Sequence, residues 1–433
     1  MLKMSEEKFD AIVVGGGIAG TVTSYLLAKE GLEVLLVERG NYSGSKNMTG
    51  GRIYSHSLEK IMPNFAAEAP VQRKITREKI SLMTEESNFT IDFQSEMLGV
   101  QGSDSYSVLR GEFDQWIAEK AEEAGVSIIN GIRVDDLIVR DGKVCGVVAG
   151  EDELEADVTI LADGVNSLLA QKLGFRGELQ PNQVAVGAKE VIELPQNVIE
   201  DRFQCNGEEG TSWLFAGTPS GGRVGGGFIY TNKSSISIGV VSTLSELVKG
   251  DISVPQMLEN FKNHPAIQPL VKGGKLIEYS GHLVPEAGIT MVPKIIGNGV
   301  LVVGDAAGFC INLGYAVRGM DFAAASAECA ANAVLKAKEA QDFSEQSLKS
   351  YQDFLDASFV MKDLKHYKKF PHFLEETPRI FDGYPRLAAD VMAQMFVMNG
   401  EPAKPLMKNM MKHVKKVGIM NIAKDAMKGV RAL

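Results

Sequence analysis

FDAIVVGGGIAGTVTSYLLAKEGLEVLLVE, residues 9–38, holds three consecutive patterns. Phe9 to Val14 is a short, nearly continuous apolar run of the kind that forms a strand buried on both faces. Residues 18–30 carry a helical pattern that ends at Gly31, and Glu33 to Glu38 is a second β run. Strand, helix and strand in this length make the first βαβ unit of a dinucleotide fold. Gly15, Gly17 and Gly20 satisfy GxGxxG at the first turn. Gly15 permits the turn, Gly17 lets backbone approach a pyrophosphate, and Gly20 lets the helix pack close to the sheet. The helix N-terminus adds unpaired amides and positive dipole density for phosphates. Glu38 stands 18 residues beyond Gly20, at the end of the second strand. There its carboxylate can accept both ribose hydroxyls of an adenosine half, and Arg39 is counted with the same site. A merely structural glycine turn would not require that glutamate.

Working outward, residues 40–70 are irregular and then helical, 78–93 alternate as strands, and 111–124 form an amphipathic helix. Short β runs at 134–139 and 144–148 flank Asp141-Gly142 and predict a hairpin, and 157–162 is another buried strand. Residues 184–290 are mostly β, interrupted by a helix near 254–262, whereas 299–335 return to strand, glycine loop and alanine-rich helix. That return implies a nucleotide domain assembled from the pieces 1–75, 105–180 and 290–345. Residues 76–104 and 181–289 then form a second domain, and 346–433 a helical, basic C-terminal region.

A chain of 433 residues can fill more than one core. Cys145, Cys205, Cys310 and Cys329 form no CxxC pair, which argues against a redox disulfide or an internally ligated iron-sulfur cluster. Six scattered histidines without HExxH give no basis for a metal site. The polar N-terminus does not read as a signal peptide, so function inside the cell is expected. No run of about 20 uncharged apolar residues is present, which excludes an integral membrane helix but leaves peripheral attachment open.

Two later segments are Ala162-Asp163-Gly164-Val165-Asn166-Ser167, after a buried strand, and Gly304-Asp305-Ala306-Ala307-Gly308, after Val300 to Val303. Both resemble segments of the glutathione-reductase and hydroxybenzoate-hydroxylase superfamily of flavoproteins. The glycine fingerprint alone does not separate NAD from FAD; this resemblance implies FAD. It also implies that Asp305 contacts the flavin ribityl chain and that the following helix points its N-terminus at the pyrophosphate or pyrimidine edge. Read from the residues, Asp305 at a strand-to-helix junction can accept hydroxyl hydrogen bonds while Ala306, Ala307 and Gly308 leave room for a flat cofactor. A helix N-cap is the alternative for Asp305, and a cap or turn for Asp163. Arg110, ahead of the helix near Gly111, resembles the family arginine beside the FAD pyrophosphate, with a surface ion pair as its alternative.

From Met4 to Leu433 the chain resembles the FixC branch of the electron transfer flavoprotein:quinone oxidoreductase family. The strings that carry this are Gly44-Ser45-Lys46-Asn47-Met48-Thr49-Gly50-Gly51-Arg52, Ser107-Val108-Leu109-Arg110, Gly308-Phe309-Cys310-Ile311-Asn312-Leu313-Gly314 and Arg318-Gly319-Met320-Asp321. The implied fold is α/β: a discontinuous Rossmann-like FAD domain of the glutathione-reductase/hydroxybenzoate-hydroxylase type, a mixed β-sheet second domain and a helical C-terminal region. The implied activity is FAD-dependent electron transfer from the alpha and beta subunits of an electron transfer flavoprotein to a membrane quinone, menaquinone or ubiquinone. An electron-bifurcating arrangement driven by NADH is one form of it. Larger relatives carry a cluster domain at their own C-terminus, so a separate ferredoxin-like iron-sulfur subunit is implied here.

The same resemblance places the flavin ring between the Gly50-Gly51 loop and the segment Phe309 to Arg318. Asn312 would hydrogen-bond near the ring and Arg318 would stabilise negative charge on reduced flavin. Their alternatives are turn-capping by Asn312 and pairing of Arg318 with Asp321 or Glu328. Val224-Gly225-Gly226-Gly227-Phe228-Ile229-Tyr230 resembles the β segment that lines the quinone pocket of larger relatives, with Gly225 and Gly226 at matching positions. Val224 stands where those relatives have tyrosine, and a plain glycine bulge is the alternative. No Asp, Glu or His falls into a spacing that demands proton abstraction. A soluble FAD monooxygenase or geranylgeranyl-reductase-like enzyme with a cavity-bound substrate shares the fold and is the competing function. An assembly subunit holding FAD for structure is a third.

The last 30 residues carry eight basic side chains, Lys404, Lys408, Lys412, Lys415, Lys416, Lys424, Lys428 and Arg431, against the single acid Asp425. On a chain of net charge −10 this local reversal, interleaved with methionines, reads as amphipathic helices. Contact with an anionic membrane at the cytoplasmic face, docking to a partner, and intramolecular packing all account for it. Nucleic acid is not an expected partner, because the basic tract is short and lacks stacking aromatics.

Overall fold

The run Phe9–Val14 is buried at every residue except Asp10, as a strand covered on both faces must be. In the computed structural model, which describes residues 8–46, 51–400 and 405–433, it lies inside a mostly parallel sheet. The order across that sheet is Ile296–Gly297, Val300–Val302, Asp152–Leu161, Phe9–Val14, Val34–Glu38 and Ser127–Asn130. Pairing from Val300–Val302 to Ser127–Asn130 is parallel throughout. Segments far apart in the chain therefore meet as neighbours, which makes the nucleotide domain discontinuous. The helix Ile18–Lys29 packs against both Met320–Glu339 and Arg110–Glu123. Buried Ala324, Ala327, Ala330 and Ala331 let the long helix approach closely.

The hairpin at 141–142 is present: Asp136–Arg140 and Lys143–Ala149 pair antiparallel, with φ of 48° at Asp141 and 76° at Gly142. Positive φ at both central residues is what a two-residue turn with right-handed strand twist requires.

Among the described residues the second sheet has nine strands. Its path runs Lys275–Pro285, Val184–Glu193, Ser235–Thr243, Gly225–Thr231, Glu209–Gly217, Val71–Met83, Ser105–Val108 and Arg52–Tyr54, with Asn88–Gln94 alongside Val71–Met83. It is mixed, because Glu209–Gly217 runs parallel to Val71–Met83 while its other pairs are antiparallel. Arg52–Tyr54, the start of Val71–Met83 and Ser105–Val108 fall in the segments 1–75 and 105–180 expected in the nucleotide domain, yet they hydrogen-bond into this second sheet. Strands of three and four residues have too little local pattern to reveal their sheet; long-range pairing decides it.

Among the described residues beyond 344 the chain is mostly helical, ending in Leu406–Val417 and Ile419–Ala432 with a break at Gly418. The last helix is tied to the body through Asp425, which accepts from Arg379 Nε at 2.6 Å, Arg379 Nη2 at 2.7 Å and Tyr384 Oη at 2.6 Å. Among the described residues no helix is long and apolar enough to cross a membrane.

A Cβ at Gly20 would lie 1.9 Å from the Gly15 carbonyl oxygen and 3.1 Å from Ala162 Cβ. Gly20→Ala is therefore expected to lower stability by about 1–3 kcal/mol, read by urea denaturation, because the helix must move off the sheet.

Candidate functional site

The parallel strands stop together at Val14, Glu38, Leu161 and Val302, and one cavity of 960 Å³ opens beyond their carboxyl ends. Open α/β sheets bind ligands at this place. From the first sheet it is lined by Gly15, Gly17, Glu38, Arg39, Asp163 and Asp305. Gly51, Arg110, Gly225, Gly226 and Asn312 complete the set of expected residues at its wall. Gly50 lies outside the described residues.

Glu38 is held by its own loop: Gly16 N donates to Oε2 at 2.7 Å and Gly40 N to Oε1 at 2.6 Å. Each carboxylate oxygen keeps a further lone pair for a hydroxyl in the cavity. Arg110 opens the helix Arg110–Glu123, one residue earlier than the sequence suggests, and lies half-buried against the buried Asp114 one turn on. Its Nε donates to Asp114 Oδ1 at 2.7 Å and its Nη2 to Oδ2 at 2.8 Å. This bidentate pair fixes the guanidinium plane.

Asp305 follows the strand Val300–Val302. A 3₁₀ turn, Gly304–Ala307, and a ribbon of Ile311–Asn312 against Val317–Arg318 come first, and the helix begins only at Met320. Gly319 and Met320, at the N-terminus of that helix, line the cavity. Burial pushes the Asp305 carboxyl above the usual range, with the charge of Arg110 opposing. Burial likewise raises Asp163. The Leu169 amide reaches its Oδ2 at 3.4 Å, while Oδ1 is buried with no hydrogen-bond partner.

Gly20, Gly304 and Gly308 do not line the cavity; they allow its walls to close. A Cβ on Gly304 would meet Ala19 Cβ at 2.6 Å, and one on Gly308 would meet Met291 Cγ at 2.9 Å. Gly51 lies under the Tyr230 ring, 2.7 Å from where its Cβ would be. Gly225 and Gly226 face the cavity, yet their sheet neighbours already demand glycine: added Cβ atoms would stand 2.1 Å from Val241 O and 2.4 Å from Phe215 O.

Arg318 is not brought to the cavity wall. Its guanidinium binds Asp321 Oδ2 at 2.6 Å and Asp363 Oδ2 at 2.8 Å, and lies over the rings of Phe322 and Phe359. Asn312 accepts from Gly314 N at 2.9 Å, so it caps the turn, while its Nδ2 donates to Glu286 Oε1 at 3.4 Å.

Lining residues that the sequence did not offer as candidate site residues include Arg52, Lys189, Tyr230, His282 and Glu286. Lys189 was detectable as a charge inside the apolar run Val184–Glu193; it is buried, 3.2 Å from Glu278. Glu286 follows the edge strand Lys275–Pro285, whose weak alternation hid it. Among the described residues no cluster of His, Cys, Asp and Glu could hold a metal ion.

The glycine turn that a Cβ would block, the buried unpartnered Asp163 Oδ1 and the cavity at the strand ends all fit a dinucleotide. A family model described as "FAD binding domain" matches residues 8–206, and one described as "ETF-QO/FixC family C-terminal domain" matches residues 370–433. "Probable electron transfer flavoprotein-quinone oxidoreductase YdiS" of Escherichia coli (strain K12) is 55% identical over 430 residues, 99% of this chain and 100% of its own. "Protein FixC" of the same strain is 54% identical at the same coverage. The chain belongs to the ETF-QO/FixC family, in its FixC branch. This FixC-branch protein is an FAD-dependent oxidoreductase, and its cofactor is FAD. Its fold is similar to that of a geranylgeranyl bacteriochlorophyll reductase-like protein from Thermoplasma acidophilum, with a TM-score of 0.72, 20% identity and coverage of 98% and 99% of the two chains. Bound in the cavity, FAD supplies reversible one- and two-electron chemistry.

Asp114→Ala removes both bidentate contacts that the buried Asp114 makes to the Arg110 guanidinium. It is expected to cost about 3–5 kcal/mol, the penalty for breaking a buried ion pair, measured by urea denaturation of the FAD-loaded protein.

Proposed function

We propose that this FixC-branch flavoenzyme takes electrons from the alpha and beta subunits of an electron transfer flavoprotein and delivers them through FAD to a membrane quinone. What carries the reading is the extent of the cavity. Beside the dinucleotide residues its wall includes the apolar side chains of Leu214, Phe215, Phe370, Phe373 and Phe381. Gly225 and Gly226 open onto the same space, so a planar apolar acceptor has a place in the cavity that also takes FAD.

In this reading Glu38 and Arg39 hold the adenosine half, Arg110 faces the pyrophosphate, Asp305 binds the ribityl hydroxyls with Asp163 nearby, and Gly51 and Asn312 lie by the ring. The iron-sulfur centre belongs to a separate ferredoxin-like subunit, and NADH-driven bifurcation is the form in which that subunit takes part. The acceptor is menaquinone or ubiquinone.

Peripheral attachment at the cytoplasmic face of the membrane fits the C-terminal helices. Met407, Met420 and Val430 are 70%, 72% and 79% exposed, and Phe396 and Met398 on the preceding segment 73% and 86%. Apolar side chains left in water beside Lys408, Lys412, Lys415 and Lys424 suit a surface of anionic headgroups over acyl chains.

Asp305→Ala is expected to weaken FAD binding about 10- to 100-fold in equilibrium titration, the worth of a hydrogen bond to a charged group. The function itself is tested by rapid-scan absorption of the FAD-loaded chain, reduced with its flavoprotein and ferredoxin-like partners and mixed with a menaquinone analogue. Flavin reoxidation with stoichiometric quinol is the expected result. A reduced flavin indifferent to quinone would sink the assignment and favour a soluble monooxygenase or reductase acting on a cavity-bound substrate.

A further inference from the structure

A second, small cavity of 20 Å³ lies against the first, and Val224, Glu286, Asn312 and Leu374 line both. Its remaining wall is Asn182, Thr243, Pro371 and Glu375. That volume has room for about one water, and Asn182, Thr243, Glu286, Asn312 and Glu375 supply the polar partners a buried water needs. Glu286 stands at the boundary with its carboxyl fixed from two sides: Thr243 Oγ1 donates to Oε2 at 2.7 Å and Asn312 Nδ2 to Oε1 at 3.4 Å. At the outer end Glu375 is 36% exposed and 3.8 Å from His372, itself 70% exposed. A carboxyl in the main cavity, space for one water, a second carboxyl and an exposed imidazole thus form a line to solvent.

We propose that Glu286 delivers protons from solvent to the acceptor in the main cavity, relayed by the small cavity and Glu375; this rests on the quinone reading. Reduction of a quinone to a quinol takes two electrons, supplied by way of FAD, and two protons, one for each carbonyl oxygen. In each delivery the Glu286 O–H bond breaks, an O–H bond forms on the acceptor, and the resulting carboxylate is reprotonated through the water from Glu375. The titratable groups facing Glu286 are Glu375, from the helix Phe370–Glu375, and Cys310, from the loop after the 3₁₀ turn. Burial holds the Glu286 carboxyl above the usual range, with the Thr243 and Asn312 hydrogen bonds opposing and Glu375 reinforcing the rise.

The test uses the FAD-loaded full chain, reduced with dithionite and mixed with a short-chain menaquinone analogue. Glu286→Gln, which preserves size and the Thr243 contact, is expected to slow flavin reoxidation about 100-fold, the contribution of a positioned acid, and to leave reduction by dithionite unchanged. In redox-induced infrared difference spectra, a protonated-carboxyl band of the wild type should vanish in Glu286→Gln. The wild-type rate should be full at low pH and fall as pH rises through the raised Glu286 value, and the variant should lack that limb. Glu375→Gln, on the surface, should slow reoxidation and be rescued by added imidazole. Normal reoxidation in Glu286→Gln, or a retained carboxyl band, overturns the proposal alone. A wild-type flavin that quinone does not reoxidise overturns the quinone reading and this proposal with it.

Discussion

Backbone meets backbone where the glycine turn lies between its strands, and no side chain fits there. A Cβ on Gly15 would stand 2.3 Å from Ala162 O, and one on Gly20 1.9 Å from Gly15 O. Because of that closeness, the ends of Phe9–Val14 and Asp152–Leu161 and the N-terminus of Ile18–Lys29 share one small region. Val300–Val302 joins through Gly304, whose φ of 60° lets the chain turn beside Ala19. Three segments distant in sequence thereby present glycine amides, Asp163 and Asp305 to the same cavity.

Charge in this region is managed by fixed partners. Glu38 accepts from two backbone amides, Arg110 is clamped by Asp114, and Lys189 faces Glu278. Each pairing offsets part of the desolvation that a cofactor-sized cavity imposes on its polar wall. Asp163 and Glu286 are left differently: one carboxyl oxygen of Asp163 has no partner, and Glu286 is held in a setting that favours its protonated form. The first suits a ligand that brings a hydroxyl; the second suits a group that gives up a proton.

The second sheet and the C-terminal helices turn a nucleotide groove into a chamber. Tyr230, Phe215 and Gly225–Gly227 come from the sheet, and Phe370, Phe373 and Phe381 from the region matched by the ETF-QO/FixC C-terminal family model. The same C-terminal region carries the exposed methionines and lysines. Its last helix is anchored by the one acid of the basic tract, Asp425, inside a cluster with Arg379 and Tyr384.

The βαβ start, the hairpin at Asp141-Gly142 and the strands Val184–Glu193 and Ser235–Thr243 were legible from residues alone, since hydrophobic period and turn chemistry are local. So were the glycine fingerprint and Glu38, because backbone geometry at a phosphate turn admits few residue types. The strings around Gly44–Arg52 and Gly308–Gly314 were specific enough to point to the family. Tertiary structure decided the sheet membership of Arg52–Tyr54 and Ser105–Val108, the engagement of Arg318 with Asp363, and the place of Glu286. Each of these depends on partners dozens to hundreds of residues away, and no local period encodes which distant backbone or carboxylate a side chain will meet.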